Sequence, residues 1–284
     1  MVIFTKGVLD RYSYANPNHD RPRSPDLFGV TEILYCMRKA FLQRVVPAPT
    51  AIDFVTRTRF ARGHACESAF FGEDKHNPEY FVGDKELKGS EGHSDHVVRY
   101  EAGDIKEIVE FKSVRRLWYK APNGKAYYSI GMARKAIDKE DWGKIEHRYN
   151  DSHMDQLKTY MYITDAPMGV LIYYELSTDD HYTYEITSDE ISEEFKIRTK
   201  DRLKILKEAM RDLKVPDKSF SYDWECKLCS FNKNGLCALC DVDGFDLRKL
   251  CSKLTNGKIE DTFGKVVGEA LEKYNVKAGM EGSN

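Results

Sequence analysis

The first quarter of the chain carries two stretches with helical periodicity. Residues 1–28 are rich in Pro, Asn and Arg and predict a loop. Beyond them, apolar residues recur every three or four positions at Ile33, Leu34, Met37, Phe41 and Val45. This spacing predicts a helix that begins near Thr31. A second helix is predicted from about Ile52 to Phe71.

Alternating polar and apolar residues, with many β-formers, predict strands further along. The predicted strands are 79–87, 93–100, 105–112, 168–176 and 181–186. The last two are expected to form a pair. A polar insertion over residues 113–150 separates the third strand from a helix predicted over 152–163. Within the insertion, Asn123-Gly124 is a hairpin-turn sequence.

The C-terminal part is predicted to be helical around a segment dense in cysteine. Ser188 is a good N-cap, so a long charged helix is predicted from Ser188 to Leu213, ended by Val215-Pro216. The cysteine-dense segment covers 224–240, and a last helix is predicted near 260–274.

Length and composition set the domain organisation and the protein class. The chain has 284 residues, of which 41% are hydrophobic and 32% charged, as in globular proteins. We divide it into an N-terminal helical segment (1–50), a core (51–213) and a C-terminal cysteine-rich segment with a helical tail (214–284). The sequence contains neither 18 consecutive apolar residues nor a signal peptide, so we expect no membrane span and an intracellular, cytoplasmic location.

With a net charge of −2 the chain is not globally basic, but local basic clusters are present. Their members are Arg57, Arg59 and Arg62 in one cluster, and Lys112, Arg115, Arg116 and Lys120 in the other. Each cluster can contact phosphate groups, and each can equally be a solvated surface.

Two carboxylates and a lysine are predicted to meet on one hairpin. Glu110 and Lys112 are two residues apart in a strand and therefore share a face. A tight turn centred between Ala102 and Gly103 would place Asp95 directly opposite Glu110. Two carboxylates this close repel each other unless a cation lies between them.

A hard divalent cation such as Mg²⁺ or Mn²⁺ fits this arrangement, because such ions prefer oxygen ligands. The backbone carbonyl of Phe111 can supply a further oxygen. The metal would neutralise a phosphate and activate a water, while Lys112 would orient that water or stabilise the transition state. A lone Glu-x-Lys is usually a solvated pair, so the hypothesis depends on the complete, ordered set of motifs.

Two helices carry residues that can complete the site. Gln156 and Tyr160 share a face of one helix and can contact the DNA backbone or Lys112. On the second predicted helix, His64 and Glu67 are three residues apart, and either can join the metal shell. A surface histidine and a helix-face glutamate are the alternative explanation for this last pair.

Seven cysteines in an intracellular chain favour metal or redox chemistry over disulfides. Cys226, Cys229, Cys237 and Cys240 could hold zinc as a local knuckle. Alternatively, three of them could hold an iron–sulfur cluster together with Cys36, which the pattern places inside a helix. Such a cluster would close a long loop of chain. Cys66 and Cys251 are interpreted as ordinary buried thiols.

In their order along the chain, these motifs resemble those of the CRISPR-associated iron–sulfur exonucleases, the fourth family of Cas proteins, and of related RecB-like nuclease domains. The ordered motifs are Cys36, Gly-x-x-Asp at Asp95, Glu-x-Lys at Glu110 and Lys112, Gln-x-x-x-Tyr at Gln156 and Tyr160, Cys-x-x-Cys at Cys226 and Cys229, and Cys237. The resemblance implies a PD-(D/E)XK, restriction-endonuclease-like α/β core, with a central mixed sheet flanked by helices and a separate iron–sulfur region.

The resemblance also implies roles for individual residues. Asp95 and Glu110 would be metal ligands and Lys112 the catalytic lysine, with Gln156 and Tyr160 as the accessory motif. A [4Fe–4S] cluster would be held by Cys36, Cys226, Cys229 and a fourth cysteine, for which the family's spacing favours Cys237 over Cys240. The family has a histidine where this chain has Glu67, so the choice between His64 and Glu67 stays open.

The leading hypothesis is a Mg²⁺- or Mn²⁺-dependent deoxyribonuclease acting on single-stranded DNA or DNA ends as an exonuclease, with additional endonuclease activity as an open alternative. Antiviral defence, with CRISPR integration proteins or recombination proteins as partners, is what the resemblance implies. The alternatives are a zinc-knuckle nucleic-acid-binding protein and an inactive adaptor of the same fold.

Overall fold

The structure is a computed structural model that describes residues 26–46, 54–72, 77–83, 85–176, 180–219, 225–226, 229–255 and 259–274. Residues 1–25 of the loop predicted over 1–28, and the first residues of the second predicted helix, lie outside this set. The described residues belong to two compact units. One contains 54–83 and 91–196, and the other contains 26–46, 85–90 and 197–274, apart from the gaps given above.

The strands of the described residues are short except in the central sheet. In chain order they are β1 (Phe28–Gly29), β2 (Glu79–Val82), β3 (Ser90–Ser94), β4 (His96–Arg99), β5 (Ile105–Val114), β6 (Trp118–Lys120), β7 (Ala126–Tyr127), β8 (Glu146–Arg148), β9 (Met168–Glu175) and β10 (His181–Thr187).

The helices are distributed over both units. In chain order they are α1 (Val30–Leu34), α2 (Met37–Val45), α3 (Phe54–Phe71), α4 (Ile130–Lys135), α5 (Asp151–Thr164), α6 (Glu193–Asp212), α7 (Ser230–Lys233), α8 (Leu236–Leu239), α9 (Leu247–Thr255) and α10 (Ile259–Lys273). The chain is thus of the mixed α/β class.

A four-stranded mixed sheet forms the centre of the first unit. Its order is β10-β9-β5-β4, with β5 parallel to β9 and the other neighbours antiparallel. On one face, Val109 and Phe111 of β5 pack against Cys66 and Phe71 of α3. On the other face α5 approaches so closely that a Cβ at Gly169 would lie 2.4 Å from Met161 Sδ. Helices therefore cover both faces of the sheet, as predicted for a central mixed sheet.

The predicted register of the β4–β5 hairpin is confirmed. Three consecutive pairs, beginning with His96 opposite Val109, follow the predicted alignment, which extrapolates to Asp95 opposite Glu110. Nearer the turn the register shifts so that Arg99 faces Ile105. The shift leaves one extra residue in β5.

The turn itself differs from the prediction by half a residue. Gly103 N donates to Tyr100 O at 2.9 Å, and Tyr100 N donates to Asp104 O at 2.9 Å. The loop is therefore centred on Ala102, and the β-bulge at the base of the turn restores the alignment further along.

The insertion after β5 folds as a small sheet. The strand β6 pairs antiparallel with both β7 and β8. The predicted turn at Asn123-Gly124 is confirmed, since Gly124 N donates to Ala121 O at 2.9 Å and Gly124 has φ +79°. A positive φ of this kind suits glycine, which has no Cβ.

Three predictions in the N-terminal half were wrong in detail. The helix expected from Thr31 is divided into α1 and α2, so Cys36 is the N-cap of α2 and not a residue within a helix. The strand predicted over 79–87 ends at Val82, and Lys85–Leu87 form a 3-10 turn. The strand predicted over 93–100 is interrupted at Asp95.

Helix boundaries also differ in the C-terminal half. Ser188 begins a 3-10 turn and does not cap the long helix α6. Ser192 takes that role, because its Oγ accepts a hydrogen bond from Phe195 N at 3.2 Å. The last predicted helix is confirmed as α10, whereas α9 was not predicted.

The second unit has its own apolar core. Phe41, Leu42, Leu236 and Leu239 are almost completely buried there, together with Val267 of α10. The N-terminal helix α2 therefore packs with elements near the C-terminus. Among the described residues, no helix has both the length and the apolar character needed to cross a membrane.

Candidate functional site

Asp95 lies at the bend between β3 and β4, where it is fixed against β5. Its Oδ2 accepts a hydrogen bond from Phe111 N at 2.7 Å. Burial raises the pKa of Asp95, the negative charge of Glu67 raises it further, and Lys112 opposes the shift. The interruption of the strand thus turns a carboxylate inward at the position predicted from the hairpin register.

Glu110 is the most deeply buried carboxylate of this region, with a residue exposure of 1%. One oxygen, Oε1, is paired with Lys112 Nζ. The other, Oε2, has no hydrogen-bond partner among the described residues. Burial raises the pKa of Glu110 to about 8, with Asp95 adding to the shift and Lys112 opposing it. A buried oxygen without a hydrogen-bond partner is costly, which makes this atom a candidate ligand for a cation.

The α3 helix brings a third carboxylate toward the hairpin. Glu67 is buried, and its charge acts on both Asp95 and Glu110. His64 is exposed and lies with its Nδ1 3.7 Å from Glu67 Oε2. The nearby carboxylate of Glu67 raises the pKa of His64. Of the two candidates on this helix, Glu67 is the one directed inward.

The predicted accessory pair on α5 also lies at the carboxylates. Gln156 Nε2 donates to Tyr160 Oη at 3.3 Å. Tyr160 is 4% exposed, and burial raises its pKa, with the charges of Glu110 and then Asp95 contributing. All five residues predicted to be catalytic are therefore held together within the first unit.

Two residues of this region were not predicted. His153 Nδ1 lies 2.8 Å from Tyr173 Oη, and the same hydroxyl accepts a hydrogen bond from Asn150 N at 2.9 Å. Tyr173 is opposite Lys112 in the parallel pairing of β5 and β9. Burial lowers the pKa of His153 to about 3, and the charge of Lys112 contributes. Helical spacing from His153 to Gln156 was a signal that could have revealed the histidine.

The carboxylates have suitable donor chemistry for a hard cation, but they are not arranged as a finished metal site. In the part of the chain that the structure describes, no three His, Cys, Asp or Glu side chains are positioned to hold a metal ion. The side chain of Phe111 packs 5.1 Å from the Phe70 ring, measured between centroids. Only its backbone is directed to Asp95.

Four of the cysteines line a single cavity in the second unit. Cys36, Cys226, Cys229 and Cys237 share this cavity with Lys39 and Glu225, among other residues. All four are free thiols. Cys240 is not among the lining residues, and burial raises its pKa to about 12.

Hydrogen bonds fix the cavity walls. Glu225 Oε2 accepts from Cys36 N at 2.6 Å, which joins residues 189 positions apart. The buried Arg38 donates to Cys237 O at 3.1 Å and is paired with Asp241 at 2.7 Å. Burial raises the pKa of Cys237, while the hydrogen bond from Arg38 opposes the shift.

The remaining thiols have other surroundings. Cys66 packs against the central sheet, and Cys251 Sγ lies 3.3 Å from Val45 O. Both are only partly buried, whereas we expected buried thiols.

Comparison with known proteins gives no family. No family model and no curated protein matches the chain. Among solved structures, SSO0001 is 18% identical, with 81% of this chain and 95% of that chain covered and a TM-score of 0.46. An alkaline exonuclease, LHK-Exo from Laribacter hongkongensis, is 13% identical, with 66% and 92% covered and a TM-score of 0.40. Its complex with dAMP gives 12% identity, the same coverage and a TM-score of 0.39. Because these scores and identities are so low, the likenesses assign neither fold nor activity to this chain.

Proposed function

We propose that this chain is a metal-dependent DNA nuclease with a PD-(D/E)XK core that hydrolyses phosphodiester bonds in single-stranded DNA or at DNA ends. The observation that carries the proposal is the carboxylate of Glu110. It is buried, it lies beside Asp95, and its Oε2 has no partner among the described residues. A divalent cation would satisfy that oxygen and offset the repulsion between the carboxylates.

The ligands would come from three elements of the first unit. Asp95 at the bend, Glu110 on β5 and the Phe111 carbonyl beside it are the proposed set, with Glu67 from α3 completing it. His64 would act through Glu67, whose carboxylate lies 3.7 Å from its Nδ1. When bound, Mg²⁺ or Mn²⁺ would neutralise phosphate charge and lower the pKa of a water. Side chains must rearrange on binding, because Glu110 is paired with Lys112 in this structure.

Lys112 has the position required of a catalytic lysine. It projects from the same strand face as Glu110, and its ammonium would be released when a cation replaces it there. The Nζ would then keep its proton and donate hydrogen bonds to a phosphate oxygen or to the attacking water. Its role is electrostatic stabilisation of the charge that develops on phosphate.

The α5 helix would position this machinery. Gln156 and Tyr160 are hydrogen-bonded to each other beside Glu110 and would orient the phosphate backbone or Lys112. His153, held by Tyr173, would limit the orientations open to Lys112 from the other side.

We further propose that Cys36, Cys226, Cys229 and Cys237 hold a [4Fe–4S] cluster. Thiolates are the usual ligands of such clusters, and these four free cysteines share one cavity. A zinc knuckle on the C-terminal cysteines is the competing assignment. It would require Cys240, which does not line the cavity, and would leave Cys36 without a role. The proposed partners, CRISPR integration or recombination proteins, are supported only by the motif order.

The test is digestion of end-labelled single- and double-stranded DNA with Mg²⁺, with Mn²⁺ and with EDTA, using wild type and Glu110→Gln. We expect cleavage by wild type with either metal, and none with EDTA or with the variant. Cleavage in EDTA, or full cleavage by Glu110→Gln, would contradict the proposed site.

A further inference from the structure

The insertion between β5 and α5 differs in charge from the rest of the chain. Residues 113–150 contain nine Lys and Arg but only four Asp and Glu, whereas the whole chain has a net charge of −2. The insertion is therefore locally positive. Local positive charge attracts phosphate groups even when the protein as a whole is acidic.

Exposed apolar side chains also concentrate in this insertion. Of the twelve large apolar residues that are exposed among the described ones, five belong to it: Trp118, Tyr128, Met132, Trp142 and Tyr149. Four of the five are aromatic. An exposed group of aromatic rings in a basic setting is typical of surfaces on which nucleic-acid bases stack.

The small sheet presents one of these aromatic groups directly. Along β6, Trp118 and Lys120 are exposed, while Tyr119 between them is 2% exposed. The centroids of the Trp118 and Tyr128 rings are 3.8 Å apart. One face of β6 thus carries an aromatic pair next to a cation.

A second aromatic and cationic pair joins the adjoining helix to the 3-10 turn Lys139–Lys144 that follows it. The Arg134 guanidinium is 5.2 Å from the centroid of the Trp142 ring, and Trp142 Nε1 donates to Arg134 O at 3.0 Å. The helix α4, which carries Arg134, packs against β6 and β7. The two pairs therefore belong to one folded element.

The opposite face of β6 is occupied by contacts with the central sheet. Tyr119 Oη is 3.3 Å from Tyr182 Oη of β10, and the His147 ring stacks on Tyr182 at 4.4 Å between centroids. This inner face anchors the insertion. The outer face, with Trp118 and Lys120, is exposed. Trp118 follows Lys112 by six residues.

We propose that the outer surface of the insertion binds single-stranded DNA. Bases would stack on the Trp118–Tyr128 pair and on Trp142, and Lys120 and Arg134 would contact phosphates. A duplex hides the faces of its bases, so single strands should bind more tightly than duplexes of equal length. The surface would guide the strand toward Glu110 and Lys112, and to that extent it rests on the proposed nuclease function.

The experiment measures binding without cleavage. Fluorescence anisotropy with labelled oligothymidylate is recorded in EDTA for wild type, for Trp118→Ala/Tyr128→Ala and for the ring-retaining Trp118→Phe/Tyr128→Phe. We expect the alanine variant to bind oligothymidylate about tenfold more weakly than wild type. The phenylalanine variant should bind less than about fivefold more weakly. Tyr100→Ala, an exposed aromatic at the β4–β5 turn, is the matched control and should bind like wild type.

Charge is tested separately by salt dependence. Lys120→Ala/Arg134→Ala should lower the slope of log affinity against log salt by about 1.4, which corresponds to two lost phosphate contacts on a single strand. Quenching of tryptophan fluorescence by oligothymidylate, reduced in Trp118→Phe, would support direct stacking in a fully folded protein.

Unchanged binding by Trp118→Ala/Tyr128→Ala, or duplex binding as tight as that of oligothymidylate, would overturn the surface. Tighter binding of oligouridylate than of oligothymidylate would overturn DNA as its ligand. If wild type binds oligothymidylate but does not cleave DNA in Mg²⁺ or Mn²⁺, the nuclease function is rejected and the binding surface is not. If wild type cleaves DNA and the aromatic variants bind oligothymidylate like wild type, only the proposed binding surface is rejected.

Discussion

The carboxylate site and the cysteine cavity are assembled from the chain in opposite ways. Asp95 and Phe111, joined by a hydrogen bond, are 16 positions apart and belong to one hairpin. Cys36 and Glu225, which are joined by a similar bond, are 189 positions apart. The first site is set by a local strand register, and the second depends on elements from both ends of the chain.

Because of this difference, substitutions at the two sites should affect different properties of the protein. A change at the hairpin site removes a reactive group but leaves the apolar packing of the sheet unaltered. A change at the cavity removes a link between distant segments, so it acts on stability first and on activity only through it. Substitutions at the two sites should therefore be distinguished by whether thermal stability falls with activity.

The largest effect is expected at the carboxylates. Glu110→Ala and Lys112→Ala should each reduce single-turnover DNA cleavage by about 1,000-fold or more, because each removes charge at the reacting phosphate. Circular dichroism and DNA affinity should stay close to those of wild type. Lys106→Ala, on the same strand but exposed, is the control and should cleave normally. Substantial cleavage by either active-site variant would reject the assignment.

The next effect is expected at the cavity. Cys36→Ala should lose iron and labile sulfide, bleach the brown colour of protein purified without oxygen, and lower the Tm by on the order of 10 °C. Nuclease activity should weaken although the carboxylates are untouched. Cys237→Ala should resemble it, whereas Cys240→Ala should be milder, because Cys240 does not line the cavity. A Cys36→Ala protein with its full metal content would show that the C-terminal cysteines suffice.

A smaller effect should appear in the pH dependence of stability without metal. The pKa of Glu110 is about 8 in the folded protein and near 4.5 when unfolded, so the folded state binds more protons between these values. Stability must then decrease as pH rises through this window, by at most about 1.4 kcal/mol per pH unit from this group. Urea unfolding in EDTA from pH 5 to 8 should show a shallower decrease for Glu110→Gln. Glu101→Gln, in the exposed turn, should keep the wild-type slope, and equal slopes for all three proteins would count against the burial of Glu110.

The smallest effect is expected on α5. Gln156→Ala and Tyr160→Phe should reduce single-turnover cleavage by roughly tenfold, since these residues position groups and do not hold the metal. A greater loss for Gln156→Ala than for Glu110→Ala would reverse their roles.

The hairpin site was predictable because strand periodicity and turn position are local properties of the sequence. The alternation in β5 placed Glu110 and Lys112 on one face, and the spacing to Asp95 gave the correct register. The contact between Tyr173 and the site was not predictable, because it depends on the parallel pairing of β5 with β9 across a long connection. No pattern near Lys112 specifies which residue of a distant strand lies opposite it.

The predicted helix boundaries were wrong for a different reason. Apolar spacing continues smoothly through Cys36, yet the helix is interrupted there and Cys36 N donates to Glu225 instead of closing a helical turn. A contact from a distant residue thus overrides a local preference. At Ser188, likewise, the backbone N–H donates to Pro167 O at 3.0 Å, and a 3-10 turn replaces the predicted cap.

The β-bulge at the base of the β4–β5 turn limits how the sequence and length of that turn can vary between related proteins. The turn residues Glu101 and Ala102 are exposed and make few demands on side-chain identity. Their number is constrained, however, because adding or deleting one residue would slide β4 along β5 and turn Asp95 to the opposite face from Glu110. Glu101 and Ala102 should therefore accept almost any substitution, whereas Gly103, with φ +93°, should stay glycine, and the turn should accept almost no change in length.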